Sequence, residues 1–275
     1  MTEHSAPLVV VVAYGDPALL RTCLSCLAAP AQAVVVVDNG LSPVVEELCR
    51  AHGASYVTPP SNVGFAAGVN LGCRQREGRD VMLLNPDAVL AWKHVLELQG
   101  ELHARPGCAA LTPLLTRPDG SGEPATWPVP TPLGVWADAL GLSRLNRGPR
   151  FLTGAVLLLA GPALDQVGGF DERFFLYAEE SDWQLRAQRA GWSIAVVETV
   201  SAVHLGGATS SSATIRSGHF HRSARLFARK WYGTSGSLVM WTASLAAALR
   251  RTLTGGRSGR AEALSTVRTY LRRAA

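Results

Sequence analysis

The sequence predicts an α/β fold: a mostly parallel, Rossmann-like sheet flanked by helices, followed by a C-terminal helical extension. Three observations predict it. Continuous apolar runs rich in Val and Leu recur at 8–13, 33–37 and 81–84, with a further strand read over 54–58, and strands that are apolar throughout are the ones buried on both faces, as in parallel sheets. Between them lie segments of helical length that open on capping residues and close on glycine. The alternation β-α-β-α-β-α-β fills about ninety residues, the pattern of right-handed crossovers over one sheet.

Each element carries its own signal. The run 8–13 stops at Tyr14-Gly15-Asp16-Pro17, with Asp16 as helix N-cap and Pro17 in the first turn. The second strand ends in Asp38-Asn39-Gly40. Residues 43–52 read as a helix closed by Gly53, and 54–58 as a strand before Pro59-Pro60. A helix over 65–76 ends at Gly78, and the fourth strand stops at Asn85-Pro86-Asp87. From Arg117 to Pro149 the periodicity dissolves into proline and glycine, with Trp127 and Trp136 inside; such a stretch is a binding loop or a packed surface excursion. Order resumes at Phe151-Leu152-Thr153-Gly154-Ala155 and an apolar run to Ala160. A turn at Gly168-Gly169-Phe170-Asp171 follows, then a helix over 179–190, a strand over 193–197 and His204 beyond it. In the tail, 238–249 is an apolar helix between basic flanks, and 260–273 is a second helix with Leu264, Val267 and Leu271 on one face. The expected division is an α/β domain over 1–221 and a basic, amphipathic helical extension over 222–275.

The chain has 275 residues, 47% of them hydrophobic, and a net charge of +5. That mean hides an asymmetry. From Arg222 onward eleven basic residues face one acid, Glu262, whereas the first 221 residues carry fifteen basic and twenty acidic. A basic tail on an acidic body points to an anionic surface as partner. Trp231, Tyr232 and Trp241 neighbour an apolar helix rather than alternating with basic residues, so a membrane surface is expected and nucleic acid is not. Five scattered cysteines imply reduced thiols and a cytoplasmic setting. Cys23-x-x-Cys26 lies within a helical pattern of leucines rather than at a helix start, which favours packing over redox chemistry. Met1–Pro7 holds no apolar signal region, and no apolar run reaches the ~18 residues needed to span a bilayer. The expected location is cytoplasmic, with peripheral attachment to the inner face of the plasma membrane through the tail.

Chemistry concentrates at predicted strand ends, where parallel sheets bind ligands. Tyr14, Asp38, Asn39, Asn62 and Asp87 all fall there. Asp38 can accept from a nucleobase N–H or close an Asx-turn. Asn62-x-Gly64 before Ala66-Ala67-Gly68 either lets backbone approach a ligand closely or caps the following helix. The cluster Glu179-Glu180-Ser181-Asp182 is either a source of a general base or a dipole-matched helix start. Asp182 and Arg186 are four apart and can pair. His204 is either structural or a metal ligand.

Taken together, Val37-Asp38-Asn39-Gly40, the run from Asn62 to Asn70, Leu84-Asn85-Pro86-Asp87-Ala88, Thr153-Gly154-Ala155, and Gly169-Phe170-Asp171-Glu172 running on to Trp183 resemble the inverting family 2 glycosyltransferases of GT-A fold, particularly their bacterial rhamnosyltransferase-like branch. The resemblance covers about residues 7–232. It implies Mg²⁺ or Mn²⁺ held by Asp87, with Asn85 in the first position of the Asp-x-Asp motif, and by His204. It implies a sugar nucleotide among Tyr14, Asp38, Asn39, Asn62, Gly64 and Asn85, and Glu180 as general base beside Asp182. dTDP-rhamnose is the implied donor, and a polyprenyl-diphosphate-linked glycan or a natural-product aglycone the acceptor. Trp127 and Trp136 are expected to bound the acceptor site. Two rivals fit less well. A sugar-nucleotide nucleotidyltransferase needs a basic, Gly-rich turn after the first strand, where Ala13-Tyr14-Gly15-Asp16 has no cation. A non-catalytic membrane-surface module leaves the acidic cluster and His204 without a role.

Overall fold

A computed structural model describes residues 5–145, 148–205 and 213–254. Among the described residues, eleven strands and eight α-helices run in the order β1 (Leu8–Ala13), α1 (Pro17–Leu27), β2 (Val34–Asp38), α2 (Pro43–His52), β3 (Ser55–Val57), α3 (Phe65–Cys73), β4 (Val81–Leu84), β5 (Ala88–Val89), α4 (Trp92–His103), β6 (Cys108–Thr116), β7 (Gly122–Glu123), β8 (Thr126–Pro128), α5 (Pro132–Ala139), β9 (Arg150–Leu152), β10 (Val156–Leu159), α6 (Gly161–Val167), α7 (Glu179–Arg189), β11 (Ser193–His204) and α8 (Ala213–Thr254). The expected helix over 260–273 lies outside the described residues.

The chain forms two compact units: residues 1–127 with 151–223, and residues 128–150 with 224–275. The first holds one sheet in the order β3-β2-β1-β4-β10-β6-β11-β5, with β7 paired to β6. Its first four strands are parallel, in the registers Val10↔Val35, Val36↔Tyr56 and Val10↔Leu83. The sheet is mixed beyond them, because β10 runs antiparallel to β4 and β6. Every residue of β1, β2 and β4 is buried, so helices must cover both faces. They do so with Leu20 and Leu24 of α1, Leu48 of α2, Val69 of α3, Leu98 of α4 and Trp183 of α7, all in one core.

Local chemistry sets the boundaries. Asp16 accepts from Ala18 N at 2.9 Å and Pro17 opens α1. Gly53, at φ 66°, closes α2 in the left-handed region. Burial pushes the Cys23 thiol up to about 12, which leaves it an inert packing group.

Four expectations change. The stretch 117–149 is not irregular throughout; it holds β7, β8 and α5, the last capped by Thr131 Oγ1 accepting from Gly134 N. α3 ends at Cys73 rather than Arg76. His204 is the last residue of a twelve-residue strand rather than a residue beyond one, because two register shifts carry β11 past Val197 along β6. The tail helix begins at Ala213 instead of 238, with its break at Gly233 (φ 67°, ψ −167°). No described helix is long and apolar enough to cross a membrane.

The second unit contains α5, a 3-10 turn at Ser143–Leu145 and α8 from Ala224 onward. It therefore takes in 128–150 as well as the expected tail. Within it Phe227 leans on Trp231 at 6.1 Å.

Candidate active site at the strand ends

Tyr14, Asn39 and Asn85 follow β1, β2 and β4 and line one cavity of about 330 Å³ in the first unit. It opens at the carboxyl ends of the parallel strands. Asn62 and Gly64 add the loop before α3, and Thr153-Gly154-Ala155 the link from β9 to β10. Glu179 and Glu180 bring the start of α7, and His204 the end of β11.

Much of the motif sequence holds this arrangement in place. Gly64 sits at φ 86°, and a Cβ there would collide with the Phe175 carbonyl oxygen; the close approach lets Phe65 N donate to that oxygen at 2.7 Å. Asn62 Oδ1 accepts from Gly64 N at 2.9 Å, and Asn39 Nδ2 donates to Gly64 O at 2.9 Å. Asn70 accepts from Phe170 N and donates to Phe170 O, both at 2.8 Å, and a Cβ on Gly169 would meet Asn70 Oδ1 at 2.6 Å. Two separated motifs are thereby stitched together just upstream of α7. Gln184, fully buried, donates to Leu152 O and accepts from Leu152 N, which ties α7 to the strand leading into Thr153-Gly154. Trp183 donates to Gly168 O at 2.7 Å and stacks on Phe170.

Tyr177 and Ala178, both non-glycine, hold φ near +70° (70° and 71°) immediately before the two glutamates. Left-handed residues of this kind cost on the order of 1–3 kcal/mol each and persist where the surroundings impose them. The surroundings here include the start of α8: His219 stacks on Phe175 at 4.8 Å, and Ser223 Oγ donates to Leu176 O at 2.8 Å.

Among the described residues, four buried side-chain atoms have no hydrogen-bond partner: Asn39 Oδ1, Asp87 Oδ1, Glu179 Oε2 and Glu180 Oε2. Asn39, Glu179 and Glu180 line the cavity, and Asp87 follows its wall residues Asn85 and Pro86 just after β4. A buried, unsatisfied oxygen costs about 1–3 kcal/mol, so the fold concentrates its unmet acceptors where a ligand can meet them. Burial, then the charge of Glu180, drives the Glu179 carboxyl well above its ordinary value, against backbone N–H groups that pull it down. Burial also raises Glu180. A carboxylate raised in this way is the stronger base once ionised. Glu180 packs along Gly154, with its Cβ 3.6 Å from where a Gly154 Cβ would stand.

Asp87 and His204 do come together. His204 Nε2 lies 3.5 Å from Asp87 Oδ1, and two donors sharing an ion at about 2.1 Å lie roughly 3–3.6 Å apart when adjacent in its shell. Asp87 itself stays off the cavity wall, which His204 forms. His204 Nδ1 is 2.9 Å from Glu123 Oε2, the carboxylate–imidazole contact that orients a metal-binding histidine. Burial lowers the imidazole pKa, but Asp87 and Glu123 outweigh it and the net direction is upward. Among the described residues no three His, Cys, Asp or Glu side chains converge on one point. Asp87 and His204 would offer an ion two ligands, a number that fits Mg²⁺ or Mn²⁺ because such ions keep places for waters and phosphate oxygens.

Two of the expected site residues are not brought in. Asp38 is fully buried below the rim. Its Oδ1 accepts from Gly40 N, and its Oδ2 from Ser42 N and Tyr56 Oη, which is the Asx-turn reading of the sequence. Asp182 is also fully buried and pairs with Arg186 at 3.1 Å, while Arg186 donates to Val167 O and Gly169 O. It anchors α7 and does not line the cavity. Trp127 is likewise absent from the cavity wall, and Trp136 belongs to the second unit.

Sequence reasoning missed Glu123, Arg216 and His219. Glu123 lies in the stretch whose prolines and glycines hid a two-residue strand. Arg216 and His219, three apart on α8, both line the cavity, and their spacing on one helical face is the signal that was there to read.

The chain matches the family described as glycosyltransferase-like family 2 over residues 6–233 and belongs to it. It is 25% identical over 207 residues to the low-salt glycan biosynthesis hexosyltransferase Agl10 of Haloferax volcanii, covering 71% of this chain and 66% of that protein, just under two thirds of its length. It is 28% identical over 229 residues to the N-acetylglucosaminyl-diphospho-decaprenol L-rhamnosyltransferase of Mycobacterium tuberculosis, covering 71% of this chain and 75% of the relative. Residues 1–349 of TarS from S. aureus align over 97% of this chain and 91% of that one, at TM-score 0.52 and 16% identity. The mannosyltransferase PcManGT of Pyrobaculum calidifontis, in complex with GDP-Man and Mn²⁺, aligns over 98% of this chain and 86% of its own, at TM-score 0.54 and 16% identity. The fold is that of the GT-A glycosyltransferases, and the chain is a glycosyltransferase.

Proposed function

We propose that the chain transfers L-rhamnose from dTDP-rhamnose to a hydroxyl of a polyprenyl-diphosphate-linked glycan, with inversion at the anomeric carbon, as a peripheral enzyme at the inner face of the plasma membrane. The observation that carries the chemistry is the set of four unpartnered buried oxygens in and just beside the cavity, two of them on adjacent glutamates at the start of α7. The mycobacterial relative's name supplies the sugar and the lipid-linked acceptor.

In this reading the nucleoside diphosphate lies along the strand ends, against Tyr14, Asn39, Asn62, the Gly64 backbone and Asn85. Asp38 contributes by shaping the turn beneath them. Asp87 and His204 would hold a divalent cation, whose positive charge would stabilise the departing diphosphate. Glu123 keeps the His204 ring oriented for that task. Glu180 takes the proton of the acceptor hydroxyl as its oxygen attacks C1, and the bond from C1 to the β-phosphate oxygen breaks with its electron pair leaving on the nucleoside diphosphate. Glu179 stands beside it as a second buried carboxylate that raises the affinity of the pair for a proton.

The test is a panel of sugar nucleotides scored by thermal stabilisation with and without Mg²⁺ or Mn²⁺, followed by product analysis with a polyprenyl-diphosphate-linked N-acetylglucosamine acceptor. The expected result is metal-dependent stabilisation led by dTDP-rhamnose and a product of inverted anomeric configuration. A retained configuration, or transfer of some other sugar in preference, overturns the reading.

A further inference from the structure

The second unit concentrates positive charge and exposed leucine. It carries thirteen Lys and Arg against two Asp and Glu, whereas the first carries thirteen against nineteen. Between Ala224 and Thr254 there is no acidic residue at all. Two of its helices turn apolar stripes to solvent. On α5, Leu133 is 82% exposed, and Leu140, its C-cap one heptad later, 62%. On α8, Leu238 is 61% and Leu249 49% exposed, with Thr242 and Leu245 between them on the same helical face.

The two stripes are neighbours. A Cβ on Gly236 would lie 3.9 Å from Pro132 Cγ, the first residue of α5, so that end of the helix touches α8. At the other end the Arg250 guanidinium reaches Asp138 O at 3.4 Å and lies 2.9 Å from where a Gly141 Cβ would stand. Leu133 thus belongs at the Leu238 end, and Leu140 with Leu142 at the Leu249 end, with Arg144 and Arg250 beside the latter.

We propose that this two-helix face of the second unit docks on an anionic lipid bilayer, its leucines entering the acyl boundary and Arg144 and Arg250 resting on lipid phosphates. The occupant follows from charge. A second copy of the chain would set one net-positive unit against another, whereas anionic headgroups are complementary to it. A nucleic acid would match the charge but not the paired leucine stripes, which match an interfacial helix pair. This rests on the membrane-surface part of the proposed function and names the surface responsible, independently of the chemistry at the strand ends.

The experiment floats the full chain with phosphatidylcholine vesicles that contain phosphatidylglycerol and with vesicles of phosphatidylcholine alone. Binding is expected to be at least tenfold tighter to the anionic vesicles and to weaken as salt rises. The combined variant L133S/L140S/L238S/L249S, which leaves charge unchanged, is expected to bind at least tenfold more weakly while keeping its melting temperature and its metal-dependent stabilisation by dTDP-rhamnose. L238S/L249S alone provides the same comparison if the fourfold variant does not fold. Equal binding to both vesicle types, or unchanged binding of the variants, overturns the proposal. So does a wild-type dimer in sedimentation that the variants dissociate, because it assigns the face to a second copy. Vesicle binding that survives when no sugar nucleotide stabilises the protein counts against the catalytic reading and leaves the docking face standing.

Discussion

Two aspartate–histidine pairs lie at opposite ends of β4, and they are built differently. At the entry to the strand, Asp80 is closed: Oδ1 accepts from Gly161 N at 2.9 Å, and Oδ2 contacts Gln99 Nε2 at 3.0 Å and His103 Nε2 at 2.7 Å. At the exit, Asp87 is open: its Oδ1 has no hydrogen-bond partner, and His204 stands 3.5 Å away, held from behind by Glu123. The same two residue types serve as a structural clip at one end and as an unfilled acceptor at the other. A closed network adds stability, whereas an open one gives some up for binding.

The contrast can be broken most forcefully through Glu180, which lines the same cavity as His204 of the open pair. Glu180→Gln should lower turnover by about 10²–10⁴-fold, the usual share of a general base, while dTDP-rhamnose still stabilises the protein in the presence of metal; normal turnover would remove Glu180 from that role. Asp80→Ala should cost roughly 2–4 kcal/mol of stability by stranding the donors of Gly161 and Gln99, with sugar-nucleotide affinity of the folded protein unchanged. Asp87→Ala should do the reverse, weakening metal-dependent donor binding at least tenfold while denaturant unfolding stays within about 1 kcal/mol of wild type. If Asp87→Ala unfolds the protein, or Asp80→Ala abolishes metal dependence, the two ends are not specialised as described.

Smaller effects sharpen the comparison. Gly64→Ala should destabilise by roughly 1–3 kcal/mol, because the new Cβ meets the Phe175 carbonyl at a positive φ, and it should raise KM for the donor. The smallest effect is one of pH. Glu179 and Glu180 are raised above ordinary glutamate, so the native state holds their protons more tightly than the unfolded chain. Their destabilisation is fully present above the raised values and is relieved as pH falls through them toward the ordinary 4.5. Glu179→Gln should therefore raise the melting temperature more at pH 8 than at pH 5. In Glu180→Gln, where Glu179 loses the like charge that helps raise it, the stability–pH profile should move to lower pH. A profile that does not move would show that the two carboxyls titrate independently.

Parts of this were legible from the chain alone. The strands 8–13 and 81–84 match their runs because residues buried on both faces leave no polar alternation to misread. Asp16-Pro17 and Gly53 marked helix ends because capping is settled within four or five residues. The joining of Asn70 to Phe170, one hundred residues apart, was visible only as co-occurrence of motifs. α5 stayed hidden because the prolines around it read as a loop, although Pro132 is a favoured first-turn residue.

The sequence by itself determined the parallel half of the sheet, the rim on which a ligand must sit, and the separation of an acidic body from a basic tail, since all three follow from local pattern and composition. Only the tertiary structure decided which carboxylates are free to act. Asp38, Asp80 and Asp182 are closed by neighbours, while Asp87, Glu179 and Glu180 each keep an oxygen without a hydrogen-bond partner. The reason is physical: an acid's role depends on which donors surround it, and those donors come from parts of the chain that only folding brings within 3 Å or so.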